Sequence, residues 1–204
     1  LGAEISSNPF YVHVLGEQYS KVGVGPERSE VMARGRTVLN AGAKLSFHSD
    51  SPMAPARPML LAWAAVNRLG LSGEKVLGAE EKVSSLEAFR AITIDAAHAI
   101  RKETQMGSID IGKYANFTIF DENPLKADPK MLKDLNIWGT VFEGKIYPIK
   151  KQAKGRIVSA NIKKRVALQN QNSHEHTHNH EHKHHGDACT TNQMLQAVAH
   201  MYVK

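Results

Sequence analysis

The sequence predicts an α/β fold in which β–α–β units are followed by a smaller module of short strands. Three observations carry that prediction. The run KLSF at 44–47 alternates as a strand does, and Gly42 just before it closes a preceding helix. Helical segments with an apolar side separate the strands of the first half. From Met106 onward the texture changes from helical to β, with short alternating runs set off by glycine.

Taken in chain order, residues 3–14 (AEISSNPFYVHV) read as a strand with Pro9 near its carboxyl end, and the glycines at 16, 23 and 25 mark a loop. Pro26 is placed as the first residue of a helix running to about Asn40, with Val31, Met32, Val38 and Leu39 on its apolar side. The strand 44–49 follows, which makes a strand–helix–strand unit and predicts a parallel pair with a right-handed crossover. Pro58 opens a second helix ended by Gly70, with Trp63, Val66 and Leu69 as a buried stripe assigned to core packing. Ser84 and Glu87 have capping-box spacing and open a third helix running to Ile100. His98, near its end, either favours the helix dipole or serves a metal. Two short strands are expected on either side of Gly112-Lys113, the second being NFTIFD, and residues 137–148 read as a hairpin turning at Glu143-Gly144.

Composition narrows the function classes. Of 204 residues 42% are hydrophobic and the mean hydropathy is −0.36, values of a globular chain with material for a sizeable core. No apolar run reaches the ~20 residues a bilayer-spanning helix needs. The net charge of +6 is concentrated between 145 and 165. Tyr147 is the one aromatic near that basic run, so a solvated connector fits it better than a nucleic-acid surface, which would interleave stacking rings. Cys189 is the sole cysteine, which rules out an intramolecular disulfide. The chain opens on Leu1 in strand-like sequence without a signal-peptide pattern, so a fragment or processed product is expected and the compartment stays open, cytoplasmic or exported.

The candidate site is the pentapeptide FHSDS at 47–51. Residues two apart on a strand share a face, which would point His48 and Asp50 the same way. Asp50 falls where the strand gives way to the loop SPMAPARP. A carboxylate at the carboxyl end of a parallel strand lies on the rim where active sites form in α/β folds. The alternative is ordinary turn or cap chemistry, which Asp before Ser-Pro also supports. Arg57, later in the same loop, is a weaker candidate for an anionic group of a substrate.

The aspartate of FHSDSPMAPARP, the helix EAFRAITIDAAHAI and the run MGSIDIGKYANFTIFDENPL followed by VFEGKIY resemble the carboxyl-terminal part of the metal-dependent amidohydrolase superfamily, closest to its YtcJ-like (amidohydrolase 3) branch. The resemblance covers about residues 1–148. It implies the last two strands and helices of a (β/α)8 TIM-like barrel, with residues 3–14 as strand seven and 44–49 as strand eight. Residues 106–148 would then belong to a small β-sandwich. Asp50 matches the strand-eight aspartate, which in the family binds metal or the metal-bound water, takes its proton and passes it to the leaving nitrogen. The resemblance further implies a divalent metal, zinc by expectation, and hydrolysis of non-peptide carbon–nitrogen bonds in a small amide-type substrate. His48 would point into the barrel.

Departures from the family pattern bear on what this chain can do. The family's His-x-His pair and its ligands on strands four, five and six have no counterpart here, and Asn116 stands where Asp is common. Two strands cannot close a barrel. The chain is therefore expected to be part of a longer enzyme and inactive by itself.

Residues 1–105 thus read as barrel, 106–150 as sandwich, 151–186 as a basic and histidine-rich linker, and 187–204 as an amphipathic helix. Within the linker, His174, His176, His178, His180, His182, His184 and His185 are seven of the eleven histidines. Imidazoles this dense bind divalent transition metals with little regard to geometry. Metal binding competes here with an inert polar spacer, and an alternative function follows from it: metal delivery through the tail. Neither nucleic acid nor membrane is an expected partner, and a homo-oligomer is compatible with the sequence.

Overall fold

The parallel pair expected from the sequence is present: β1 (Glu4–Ser7) runs alongside β2 (Lys44–Phe47), in register from Glu4 opposite Lys44 to Ser7 opposite Phe47. The computed structural model describes residues 3–149. The expectations for the connector, the histidine tail, Cys189 and the terminal helix lie outside those residues. No helix among the described residues is long and apolar enough to cross a membrane.

β1 is much shorter than expected. Residues 10–21, expected to finish a strand and enter a loop, form helix α1 (Phe10–Lys21). Pro9 precedes it at φ −68, a value suited to helix entry. Phe10, Val12, Val14 and Leu15 are all buried. Positions 10, 12 and 14 alternate like a strand, but 10 with 14 and 12 with 15 are also neighbours on one helix, and the helix prevails.

The expected helix over 26–40 divides into α2 (Pro26–Glu30) and α3 (Gly35–Asn40), with Ala33 between them at φ 48. The break frees three backbone carbonyls, and Arg68 takes them. This arginine is 1% exposed and follows helix α4 (Pro58–Asn67) in a left-handed conformation, φ 51. Its Nε donates to the Leu77 carbonyl at 2.6 Å and its Nη1 to Ala33 at 3.1 Å. Nη2 donates to Glu30 at 2.8 Å and Met32 at 2.9 Å. Burial pulls the guanidinium below its ordinary pKa, against the attraction of Glu81 and Glu80. Gly78 lines the same junction; a Cβ there would stand 1.9 Å from the Glu30 carbonyl oxygen, so only glycine fits.

Helix α4 is buried along nearly its whole length, from Leu60 to Asn67. An all-round apolar helix is a core helix, and α1, helix α5 (Ser85–Ala91) and a 3-10 segment (Pro129–Asp134) cover it. Of the expected stripe, Trp63 and Val66 are buried, while Leu69 lies beyond the helix end and is half-buried. The Trp63 indole donates to the Lys130 carbonyl at 2.9 Å, and Asn67 donates to that of Pro129 at 2.8 Å. These bonds and the buried Leu132 fasten the 3-10 segment to α4.

The capping box is present: Ser84 and Glu87 satisfy each other's backbone amides, and Glu87 pairs with Arg36 at 2.6 Å. The expected single helix over 84–100 is instead α5 and α6 (Ile94–Ala99). The interruption falls in the β-branched run Ile92-Thr93-Ile94, where the Thr93 hydroxyl donates to the Phe89 carbonyl at 2.7 Å.

The later module is a three-stranded antiparallel sheet, β3 (Phe117–Phe120), β4 (Ile137–Phe142) and β5 (Lys145–Pro148), in that order. Glu143 and Gly144, at φ 48 and 80, make the two-residue turn expected of them. Asn116 accepts the Glu143 amide proton at 2.7 Å, a role for a side-chain oxygen that an amide fills as well as a carboxylate. The expected strand before Gly112 does not form. Gly107 and Gly112 have positive φ, and Ile109 and Ile111 project into solvent at 82% and 107% exposure.

Candidate functional site

Asp50 stands three residues beyond the carboxyl end of β2. The His48 amide donates to the Ser7 carbonyl at 3.0 Å, carrying the ladder one residue past β2, and both His48 and Asp50 are exposed. Asp50 itself is left-handed, φ 50, a region aspartate tolerates better than most residues. The expectation that His48 and Asp50 share a strand face is therefore corrected: the strand ends first.

Turn chemistry and side-chain chemistry separate at this residue. The Asp50 carbonyl accepts from the Met53 amide at 2.7 Å and the Ser49 carbonyl from Ala54 at 3.1 Å, so the backbone makes the turn. No side chain caps α4, whose N-cap is Arg57. The Asp50 carboxylate faces elsewhere: its Oδ2 accepts the hydroxyl proton of Tyr11, in the first turn of α1. This bond, with burial and the nearby carboxylate charge, raises the Tyr11 pKa, so the phenol keeps its proton and remains a donor at neutral pH.

Asn8 locks the two strand ends together. Its Oδ1 accepts the Phe10 amide proton at 3.0 Å, and its Nδ2 donates to the Ser49 carbonyl at 3.2 Å. Tyr11 is thus fixed between the fully buried Phe10 and Val12, within direct hydrogen-bonding reach of Asp50. Sequence reasoning missed Tyr11 because it treated 3–14 as one strand. The signal available was Asn8-Pro9 after a strand, a helix-entry pattern.

His13, His98 and Arg57 do not gather at this point. His13, two residues on and so turned to another face of α1, holds the Leu69 carbonyl through Nδ1 at 2.8 Å and meets the Trp63 ring edge-on. Burial lowers its pKa, and the donated Nδ1 proton suits a neutral core imidazole. His98 Nδ1 lies 2.7 Å from Glu4 Oε1, although neither atom is aligned for a hydrogen bond. Arg57 donates to the Lys133 carbonyl at 3.1 Å, tying its loop to the 3-10 segment.

Among the described residues no three His, Cys, Asp or Glu side chains converge as a metal-holding group. A catalytic divalent ion generally takes three protein ligands, so the described residues do not by themselves fit one. The seven tail histidines lie outside them.

A parallel strand pair with a carboxylate past its carboxyl end and a core helix behind it is an α/β arrangement. Residues 1–148 match the Amidohydrolase family, and the chain belongs to that family. It is 31% identical over 144 residues to the N-substituted formamide deformylase of Arthrobacter pascens, covering 71% of this chain and 26% of that one. It is 30% identical over 125 residues to the putative amidohydrolase YtcJ of Bacillus subtilis, covering 60% and 24%. A solved structure of an uncharacterized metal-dependent hydrolase from Pyrococcus horikoshii superposes with a TM-score of 0.52 at 25% identity, covering 63% of this chain and 26% of that one. The chain spans about a quarter of the length of these relatives.

Proposed function

We propose that this chain supplies the proton-handling rim of a metal-dependent hydrolase acting on non-peptide carbon–nitrogen bonds. In this reading β1 and β2 are the last two strands of a (β/α)8 barrel, and β3–β5 belong to its β-sandwich. The observation that carries it is Asp50: an exposed carboxylate past a parallel strand end, released from turn duty and held at one oxygen by Tyr11.

The chemistry asked of it is general base and then general acid catalysis, worth roughly 10²–10⁴-fold in rate. Asp50 accepts a proton from the attacking water as oxygen bonds to the carbonyl carbon. It returns that proton to the nitrogen as the carbon–nitrogen bond breaks. An N-substituted formamide, the substrate class named by one relative, is the first compound to try. A divalent ion, zinc by first choice, would take its other ligands from outside the described residues. Nothing among those residues favours the metal-delivery alternative, which rests on the tail.

In the active enzyme, Asp50→Asn is expected to all but abolish turnover, leaving a residual rate roughly 10²–10⁴-fold below wild type, with metal content nearly intact. Undiminished turnover in that variant would remove Asp50 from the mechanism.

A further inference from the structure

We propose that Tyr11 is a positioning residue that fixes the reactive orientation of the Asp50 carboxylate. The inference rests on the reading of Asp50 as the proton carrier and adds a residue to it. Its ground is the geometry of α1. Pro9 starts the helix, Asn8 ties its entry to the Ser49 carbonyl, and the fully buried Phe10 and Val12 flank Tyr11. The phenol oxygen is thereby placed by the core, and Asp50 Oδ2 accepts its proton.

Stability alone gives a weak account of this bond. Both partners reach the surface, where a hydrogen bond of this kind adds little because water replaces either partner. Orientation gives a stronger one. Asp50 follows a strand on a left-handed residue, and an exposed aspartate there would otherwise sample several rotamers. With Oδ2 engaged by Tyr11, Oδ1 presents its lone pairs in one direction. A misplacement of about 1 Å at a reacting group costs up to ~10²-fold in rate, which sets the scale of what Tyr11 supplies.

The test is a double-mutant cycle in the active enzyme: wild type, Tyr11→Phe, Asp50→Asn and the double variant, assayed on an amide substrate that the wild type turns over. Tyr11→Phe deletes one oxygen and keeps the ring. It is expected to lower kcat by about 10–100-fold with KM nearly unchanged, and to have almost no further effect in the Asp50→Asn background. Unchanged kcat in Tyr11→Phe, or an equal loss on both backgrounds, would each overturn the proposal. Wild-type turnover in Asp50→Asn would instead strike the assignment of Asp50. An inactive Asp50→Asn beside a fully active Tyr11→Phe would strike Tyr11 alone.

Discussion

Arg68 and Asp50 occupy equivalent places in two parts of the molecule and meet opposite fates. Each follows the carboxyl end of a regular element, and each is left-handed, at φ 51 and φ 50. Arg68 is enclosed, and its guanidinium donates to four backbone carbonyls drawn from two stretches of chain. Asp50 is exposed, and among the described residues Tyr11 is the side chain that hydrogen-bonds it. A buried charge is tolerable only when its hydrogen-bonding capacity is filled, so Arg68 is committed to architecture. A carboxylate with lone pairs to spare at a strand end can still exchange a proton. The same backbone conformation therefore serves a keystone in one place and, in the proposed reading, a working group in the other.

The sharpest way to break this contrast is to remove both charges and measure stability. Arg68→Met leaves the carbonyls of Leu77, Ala33, Glu30 and Met32 without their donor, and a loss of about 3–5 kcal/mol in denaturant unfolding is expected. Asp50→Asn should stay within about 0.5 kcal/mol of wild type. Equal losses in the two would erase the distinction.

A second charge, intermediate between these extremes, can be read through pH. The Arg36 guanidinium, opposed by partial burial and helped by Ser84, holds the Glu87 carboxyl down at about 2 from its ordinary 4.5. A depressed carboxylate binds fewer protons folded than unfolded. Its contribution is complete above about 4.5 and is lost as pH falls from there towards about 2. The pair is 30% and 29% exposed, so solvent screening reduces its worth to about 1–2 kcal/mol. Acid unfolding of wild type and Glu87→Gln should converge by that amount across the window. Parallel curves would show that Arg36 and Glu87 do not pair in solution.

The smallest effect isolates the backbone from the charge. Gly144 is left-handed at φ 80 with no atom near a would-be Cβ, so Gly144→Ala tests conformation alone. A loss of about 1 kcal/mol in a thermal melt is expected. A much larger one would mean that left-handed backbone, rather than charge satisfaction, dominates at Arg68 as well.

What was legible in the sequence depended on the range of the signal. The β2 strand, the Ser84–Glu87 capping box and the Glu143-Gly144 turn each rest on residues within a few positions, and each stands in the structure. Asp50 was legible as a position, since a strand end followed by Ser-Pro marks a rim. Its partner was not, because Tyr11 reaches it from 39 residues away. The helix over 26–40 was over-extended for the same reason: the break at Ala33 answers to Arg68, which no local pattern near residue 33 announces. The strand expected before Gly112 has the right alternation, but Ile109 and Ile111 have no cover among the described residues, and alternation without a surface to bury against does not make a strand.

Trp63 gives the molecule an optical handle. It is 5% exposed, its indole bonded to the Lys130 carbonyl with the Lys133 ammonium 5.4 Å from the ring centre, whereas Trp138 is 46% exposed. The two indoles therefore emit from different surroundings, one shielded from dissolved quenchers and one open to them. Because the shielded ring sits against the 3-10 segment, the unquenched fraction of the emission is a gauge of whether that segment is still seated on α4.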